Sequence, residues 1–249
     1  MRIALAGNPN SGKTTLFNAL TGSIEHVGNW PGVTVARKEG FVKKQLSTHQ
    51  NIRIVDLPGT YSMSPFTNEE RITKDYVQQE HPDVIINIID ASNLSRSLFF
   101  TTQLLSLGVP VVIALNKWDL VTKKAINIDM THLSKDLGCP IVEVSALRQD
   151  GLKKLLETCV DRKGSTQEPA FIGRADATLN KEAWLEEEKE RSIFVSNLVK
   201  HVEKRSIDSH KLNQHDAIDR IVAHPYFGIP IFIVILYGVF SISQATLGP

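Results

Sequence analysis

The chain has 249 residues, 42% hydrophobic and 22% charged, which excludes a disordered polymer and leaves room, at about 150 residues per domain, for one large domain or a medium domain with a small companion. Lys plus Arg number 28 against 27 Asp plus Glu, a net charge of +1, which excludes the broad basic surface that bulk nucleic-acid binding requires. Two cysteines, Cys139 and Cys159, exclude a disulfide scaffold or an all-cysteine zinc site and suit a reducing cytosol, and the short apolar run after Met1-Arg2 is not a signal peptide.

Apolar runs and helical periodicities then alternate. Strands are expected at 3–6, 52–56, 84–90, 109–115 and 140–144, with a more polar one at 40–46. Helices are expected at 13–20, 69–79, 94–107, 130–137 and 152–160. The runs at 84–90 and 109–115 are nearly continuous in Val, Ile and Ala, as strands covered on both faces of a parallel sheet must be. The alternation predicts an α/β domain over 1–163, a mostly parallel sheet with helices on both faces.

Residues 162–169 are polar and turn-rich and read as a linker. The stretch 181–205 is dense in charge and free of Gly and Pro, and Val195, Leu198, Val199 and Val202 recur at helical spacing. A second helix is expected at about 214–223, making 170–223 a small all-α domain. No Asp, Glu, Lys or Arg follows Arg220. The uncharged stretch 227–249 therefore reads as the start of a transmembrane helix, with Pro230 tolerated in its first turn and more membrane-embedded chain expected beyond residue 249.

Four motifs carry the chemistry. Gly7, Asn8, Pro9, Asn10, Ser11, Gly12, Lys13 and Thr14 match G-x-x-x-x-G-K-[ST] between a strand and a helix. Backbone N–H groups of such a loop close around phosphate oxygens at a helix N-terminus. Lys13 is expected on the β- and γ-phosphates and the Thr14 hydroxyl on Mg2+, with Thr15 completing the phosphate-side set. Asp56-Leu57-Pro58-Gly59 ends a strand at the ligand edge of an open sheet, where Asp56 can hold Mg2+ through water and Gly59 can offer its N–H to the γ-phosphate. In Asn116-Lys117-Trp118-Asp119 the Asp119 carboxylate can accept from both N1–H and the N2 amine of guanine, a donor pair that adenine lacks. Asn116 would tie loops together, the Lys117 stem would cover the base, and in Ser145-Ala146-Leu147 the Ala146 N–H could meet guanine O6.

In this order, each after a strand, the four resemble the translation-factor-like GTPases of the Ras-type superfold over about residues 1–160. The resemblance implies GTP/GDP and Mg2+, and a first-switch threonine on the metal, for which Thr34 is the candidate; Thr21 is assigned to the preceding helix and does not compete. Ras-like proteins follow D-x-x-G with a water-orienting glutamine. Here Thr60 and Tyr61 stand there, with no glutamine in the next fifteen residues, so the device that positions the attacking water is not given. Asn10 resembles the asparagine of potassium-activated GTPases, which implies K+ beside the phosphates, held by Asn10 and by carbonyls of Gly28, Asn29 or Trp30, where charge develops. The expected catalytic set is Asn10, Lys13, Thr34 and Gly59. The switch segments 24–36 and 58–68 are expected to be the most mobile.

The longer pattern is similar to the ferrous iron transport protein B family of bacteria: Gly7 to Asn18, then Val27-Gly28-Asn29-Trp30-Pro31-Gly32-Val33-Thr34-Val35, then Val55-Asp56-Leu57-Pro58-Gly59-Thr60-Tyr61-Ser62, and the tail Asp219 to Pro230. That family implies a G domain, a helical domain acting like a GDP-dissociation inhibitor, and a polytopic membrane domain of the same polypeptide. It implies a GTPase module on the cytoplasmic face of the bacterial inner membrane whose K+-stimulated hydrolysis gates or drives Fe2+ uptake. A small cytosolic partner and a homo-oligomer fit the same resemblance; nucleic acid does not. The alternative is a soluble K+-activated GTPase of ribosome assembly or tRNA modification, which predicts an attached basic RNA-binding module that the charge balance does not show. No Fe2+ ligand constellation is visible: His81, His132, His201 and His215 are scattered and expected at the surface, and Cys139 and Cys159 are expected in the core.

Overall fold

The computed structural model describes residues 1–47, 49, 51–63, 68–123, 126–173 and 181–205, and nine residues between 229 and 241. In chain order the elements are β1 (Arg2–Gly7), α1 (Lys13–Leu20), β2 (Thr21–Asn29), β3 (Ala36–Val42), β4 (Arg53–Asp56), α2 (Asn68–Glu80), β5 (Val84–Asp90), α3 (Leu94–Leu105), β6 (Val111–Asn116), α4 (Trp118–Lys123), β7 (Ile126–Ile128), α5 (Met130–Leu137), β8 (Ile141–Glu143), α6 (Leu152–Arg162), α7 (Lys181–Val202) and β9 (Glu203–Arg205). Met1–Arg205 form one compact unit and Ser206–Pro249 another.

The main sheet has the order β2-β3-β4-β1-β5-β6-β8. From β4 to β8 every pairing is parallel, and β2 and β3 extend it as an antiparallel edge. Six of the seven β5 residues and all six of β6 are buried, because alternate side chains enter two different cores. Ile86, Ile88, Val112 and Ala114 pack with Leu16, Phe17 and Leu20 of α1 and with Leu152, Leu155 and Leu156 of α6. Ile85, Ile89, Val111 and Ile113 pack with Tyr76 of α2, Leu98 and Leu104 of α3, and Leu133 of α5. The expected Ras-like layering, helices on both faces of a largely parallel sheet, is present. Its phosphate loop, Asp56 and Asn116 all stand at the carboxyl ends of the parallel strands, where such sheets bind ligands.

Several local expectations need correcting. Thr21 is not in a helix. It opens β2 with extended dihedrals (φ −99, ψ 141) while its hydroxyl caps α1 by donating to the Phe17 carbonyl at 2.7 Å. Much of 24–36 is strand as well, because β2 pairs with β3 from Thr21↔Val42 to Asn29↔Ala36. An edge strand needs no continuous apolar run, and its glycines Gly22 and Gly28 hide the pattern. The strand expected at 40–46 lies at Ala36–Val42. The one expected at 109–115 starts at Val111, since Pro110 has no N–H for the ladder and contributes its carbonyl instead, accepting from Ile85 N at 2.8 Å.

The helix at 181–205 ends at Val202, after which β9 pairs antiparallel with β7. Val195, Leu198 and Val202 of α7 are buried in the same core as α3 and α5. Arg191, 4% exposed, donates to Thr102 Oγ1 at 3.3 Å, pairs with Glu187 and lies over the Phe171 ring at 4.5 Å. The helix expected at 214–223, and His215, lie outside the described residues, as does most of 227–249. Among the described residues no helix is long and apolar enough to cross a membrane. Cys139 and Cys159 are buried, and burial pushes the Cys139 thiol up to about 12 and the Cys159 thiol up as well. His81, His132 and His201 are exposed, and no group of three metal-ligating side chains occurs among the described residues.

Candidate functional site

The phosphate loop is shaped by what surrounds it. A Cβ on Gly7 would stand 2.5 Å from Ile88 Cγ2 and 2.6 Å from the Ile88 carbonyl oxygen, so the loop leaves β1 where no side chain fits. Gly12, at φ +95, begins α1 with its missing Cβ against the Asn116 side-chain amide. Asn10 takes a left-handed φ of 64. The turn closes with Ser11 N donating to the Asn8 carbonyl at 3.2 Å, and α1 starts with Leu16 N on the Gly12 carbonyl.

Two side chains pin this loop from outside, and one of its own reaches out to α3. Asn116 Nδ2 donates to the Ser11 carbonyl at 2.8 Å, and its Oδ1 accepts from Ala146 N at 3.0 Å. Lys117 Nζ donates to the Asn10 carbonyl at 3.0 Å and pairs with Asp90 Oδ2 at 2.6 Å. Asn8 Nδ2 donates to the Arg96 carbonyl in the first turn of α3 at 2.9 Å. Burial alone would raise the Asp90 carboxyl, but hydrogen bonds from Lys117 and Ser92 outweigh it and hold the group below its ordinary range. Ser11 Oγ is buried in the loop with no partner among the described residues. A buried donor there fits an oxyanion-bearing ligand.

The D-x-x-G segment lies against the same loop. Lys13 and Asp56 form an ion pair, each side chain about one-tenth exposed (12% and 11%). Thr60 N donates to the Gly7 carbonyl at 3.3 Å, and a Cβ on Gly59 would lie 3.5 Å from Pro9 N. Beyond it the chain is tied to the helices: Thr60 Oγ1 donates to the Ser62 carbonyl, Ser62 Oγ to Glu70, and Met63 N to Gln103 Oε1 at 2.8 Å. Gln103 Nε2 in turn donates to Glu188 of α7 at 2.8 Å. Burial lifts the Glu188 carboxyl to about 7.

On the base side, Asp119 Oδ1 accepts from Ser145 Oγ at 3.3 Å, and Arg148 Nε lies 3.9 Å from Asp119 Oδ2. Trp118, Asp119, Ser145 and Arg148 line a cavity of about 550 Å3. Leu147 is 82% exposed beside it.

The structure brings together Gly7, Asn8, Pro9, Asn10, Ser11, Gly12, Lys13, Asp56, Gly59, Asn116, Lys117, Asp119, Ser145 and Ala146. Thr14 and Thr15 follow on the exposed first turn of α1. Thr34 is exposed in the β2–β3 connection, and no hydrogen bond among the described residues joins it to Thr14 or Asp56. Gly28 pairs with Arg37 on the edge strand, with β3 and β4 between it and β1, three strand spacings or about 14 Å away. Trp30 is buried edge-to-face on Tyr76 at 5.5 Å, beneath the Arg37 guanidinium at 5.0 Å, and its carbonyl accepts from Val33 N. Asp90, Arg96, Gln103 and Glu188, which brace these loops, belong to none of the four sequence motifs. The acid that ends β5 next to Asn116 was the one legible signal among them.

The family model described as ferrous iron transport protein B matches residues 1–159. The Fe(2+) transporter FeoB of Salmonella choleraesuis (strain SC-B67) is 42% identical over 189 residues, covering 74% of this chain and 24% of that relative. The chain thus spans about a quarter of the length of the curated relatives it matches. Among solved structures, the cytosolic domain of the T. maritima FeoB iron transporter in its GMPPNP form superposes with a TM-score of 0.73 at 29% identity, covering 82% of this chain and 99% of that one. The cytosolic domain of L. pneumophila FeoB gives 0.69 at 31% identity, covering 82% of this chain and 100% of that one.

Proposed function

The chain belongs to the ferrous iron transport protein B family, and from that premise we propose that it binds GTP and hydrolyses it to GDP and phosphate, as the cytosolic module of a ferrous iron transporter at the cytoplasmic face of the bacterial inner membrane. One observation carries the nucleotide reading. Asn116 joins the phosphate loop to the Ser145-Ala146-Leu147 loop with both ends of its amide, so the phosphate and base sides form one preorganised frame. Asp119 stands on that frame as the guanine acceptor, and adenine offers its carboxylate no matching pair of donors.

Lys13 would move from Asp56 onto the β- and γ-phosphates, releasing the Asp56 carboxylate. Thr14 and Asp56 supply hydroxyl and carboxylate oxygens, a donor set that suits Mg2+. That ion neutralises charge on the phosphate oxygens when bound. The Gly59 N–H would report the γ-phosphate to the segment leading through Met63 and Gln103 to α7. K+ stimulation rests on Asn10, with backbone carbonyls of Gly28, Asn29 or Trp30 as the further oxygen ligands such an ion would take beside the phosphates.

In this reading residues 1–163 are the G domain, 170–223 a helical domain that tunes GDP affinity, and 227–249 the start of a membrane helix leading to a membrane domain beyond residue 249. Exposed apolar side chains at Ile229, Phe232, Ile233, Leu236, Tyr237 and Phe240 support the last assignment. The curated relatives favour transport over a role in ribosome assembly. The test is ferrous iron uptake by cells carrying the full-length gene, unmutated and with Lys13→Ala, beside a GTPase assay in K+ and in Na+. Uptake that survives loss of GTPase activity would refute the transport assignment.

A further inference from the structure

The Lys117 side chain is committed at two points that belong to different parts of the site. Its Nζ donates to the Asn10 carbonyl across 107 residues of chain and, 2.6 Å away, meets Asp90 Oδ2. Asn10 and Lys117 both hold left-handed backbone, φ 64 and φ 63, a region that non-glycine residues occupy when their surroundings keep them there. The hydrogen bond therefore ties one strained residue of the phosphate side to one strained residue of the base side.

Asp90 is placed to hold that tie. It is the last residue of β5, level with Asn116 at the end of β6, so its carboxylate emerges beside the base-recognition loop. Its second oxygen accepts from the Ser92 backbone N–H at 2.9 Å and from the Ser92 hydroxyl at 2.7 Å. With Oδ1 fixed by Ser92, Oδ2 has one orientation, toward Lys117. The pair is partly shielded, at 20% and 32% side-chain exposure, so solvent weakens it less than it would a surface pair. An unanchored lysine is a flexible four-carbon stem. An anchored one is a fixed apolar strip whose charge is held between Asp90 and the Asn10 carbonyl.

Resting on the nucleotide reading above, we propose that Asp90 is a positioning residue for the guanine nucleotide: it fixes the Lys117 stem as the cover of the base and, through Lys117 Nζ, braces the Asn10 carbonyl of the phosphate loop. Asp90 touches no part of the nucleotide itself. It acts by preorganisation, so its loss weakens binding without changing which base is preferred, a preference that stays with Asp119.

The experiment compares the unmutated chain with Asp90→Asn, which keeps the shape and an acceptor for Ser92 but removes the charge. Two quantities are read: GDP affinity, and the rate at which an acetylating reagent modifies Lys117 in nucleotide-free protein, followed by mass spectrometry. The expected result is a GDP Kd raised about tenfold, a severalfold faster Lys117 modification, and unchanged preference for GDP over ADP. Ser92→Ala, which frees the carboxylate to rotate but leaves its charge, should move both readouts the same way by less. GDP affinity and Lys117 reactivity both equal to those of the unmutated chain would overturn the proposal, as would a lowered thermal midpoint as the sole effect. If the unmutated chain fails to bind GDP, the nucleotide reading falls and the positioning role falls with it, while the reactivity of Lys117 still reports separately whether the ion pair exists.

Discussion

The side-chain amide of Asn116 reaches the carbonyl of Ser11 at 2.8 Å, joining positions 105 residues apart. Its oxygen is committed equally, to Ala146 N at 3.0 Å. A side-chain amide, donor at one end and acceptor at the other, satisfies a carbonyl on one loop and an N–H on another at once.

Replacing it shows what the bridge is worth. Asn116→Ala leaves a buried carbonyl and a buried N–H without partners. The expected loss is about 2 kcal/mol, lowering the thermal midpoint by roughly 5 °C. A midpoint within a degree of the unmutated chain, measured by scanning calorimetry, would show that the frame is held by other contacts.

Asp119→Asn exchanges a carboxylate acceptor for an amide that also donates. Guanine nucleotides should bind roughly a hundredfold more weakly. Xanthosine nucleotides, which carry a carbonyl where guanine carries the N2 amine, should gain. Competition titrations with both bases check this, and an unchanged guanine preference would contradict the assignment of Asp119.

Glu188 gives a pH signature. Burial raises its carboxyl to about 7, with Glu187 and Glu70 adding to the effect and Arg191 and the Gln103 amide opposing it. The folded chain therefore holds this proton more tightly than the unfolded chain, whose carboxyl titrates near about 4.3. The resulting stability is fully present below the unfolded value and is lost as pH rises to about 7. The thermal midpoint of the unmutated chain should fall relative to that of Glu188→Gln between pH 4.5 and 7.5. Parallel profiles across that window would contradict a buried, lifted carboxyl.

Linear motifs were legible because their chemistry depends on neighbours in sequence. The segment from Gly7 to Thr14 had to be a loop between strand and helix, and β5 at Val84–Asp90 was visible residue for residue as an apolar run. What stayed hidden depends on distant partners. The edge strand β2 has one neighbour and carries polar residues and glycines, so nothing in its composition separates it from a loop. The burial of α7 on α3 was half legible: the stripe of Val195, Leu198 and Val202 was visible, but not that it enters the G-domain core. Asp90, Gln103 and Glu188 matter through hydrogen bonds to residues 27, 40 and 85 positions away, and no spacing rule encodes those pairings. Thr34, Gly28 and Trp30 follow from family resemblance, since no local pattern marks a switch-loop metal ligand.

The most direct measurement is calorimetric titration of this chain with GDP and with ADP in Mg2+ buffer, repeated with Lys13→Ala. Saturable GDP binding at one site, no measurable ADP binding, and loss of the GDP signal when Lys13 is removed are the expected results. Equal binding of both nucleotides, or GDP binding that survives Lys13→Ala, would contradict a guanine-specific site built on this phosphate loop.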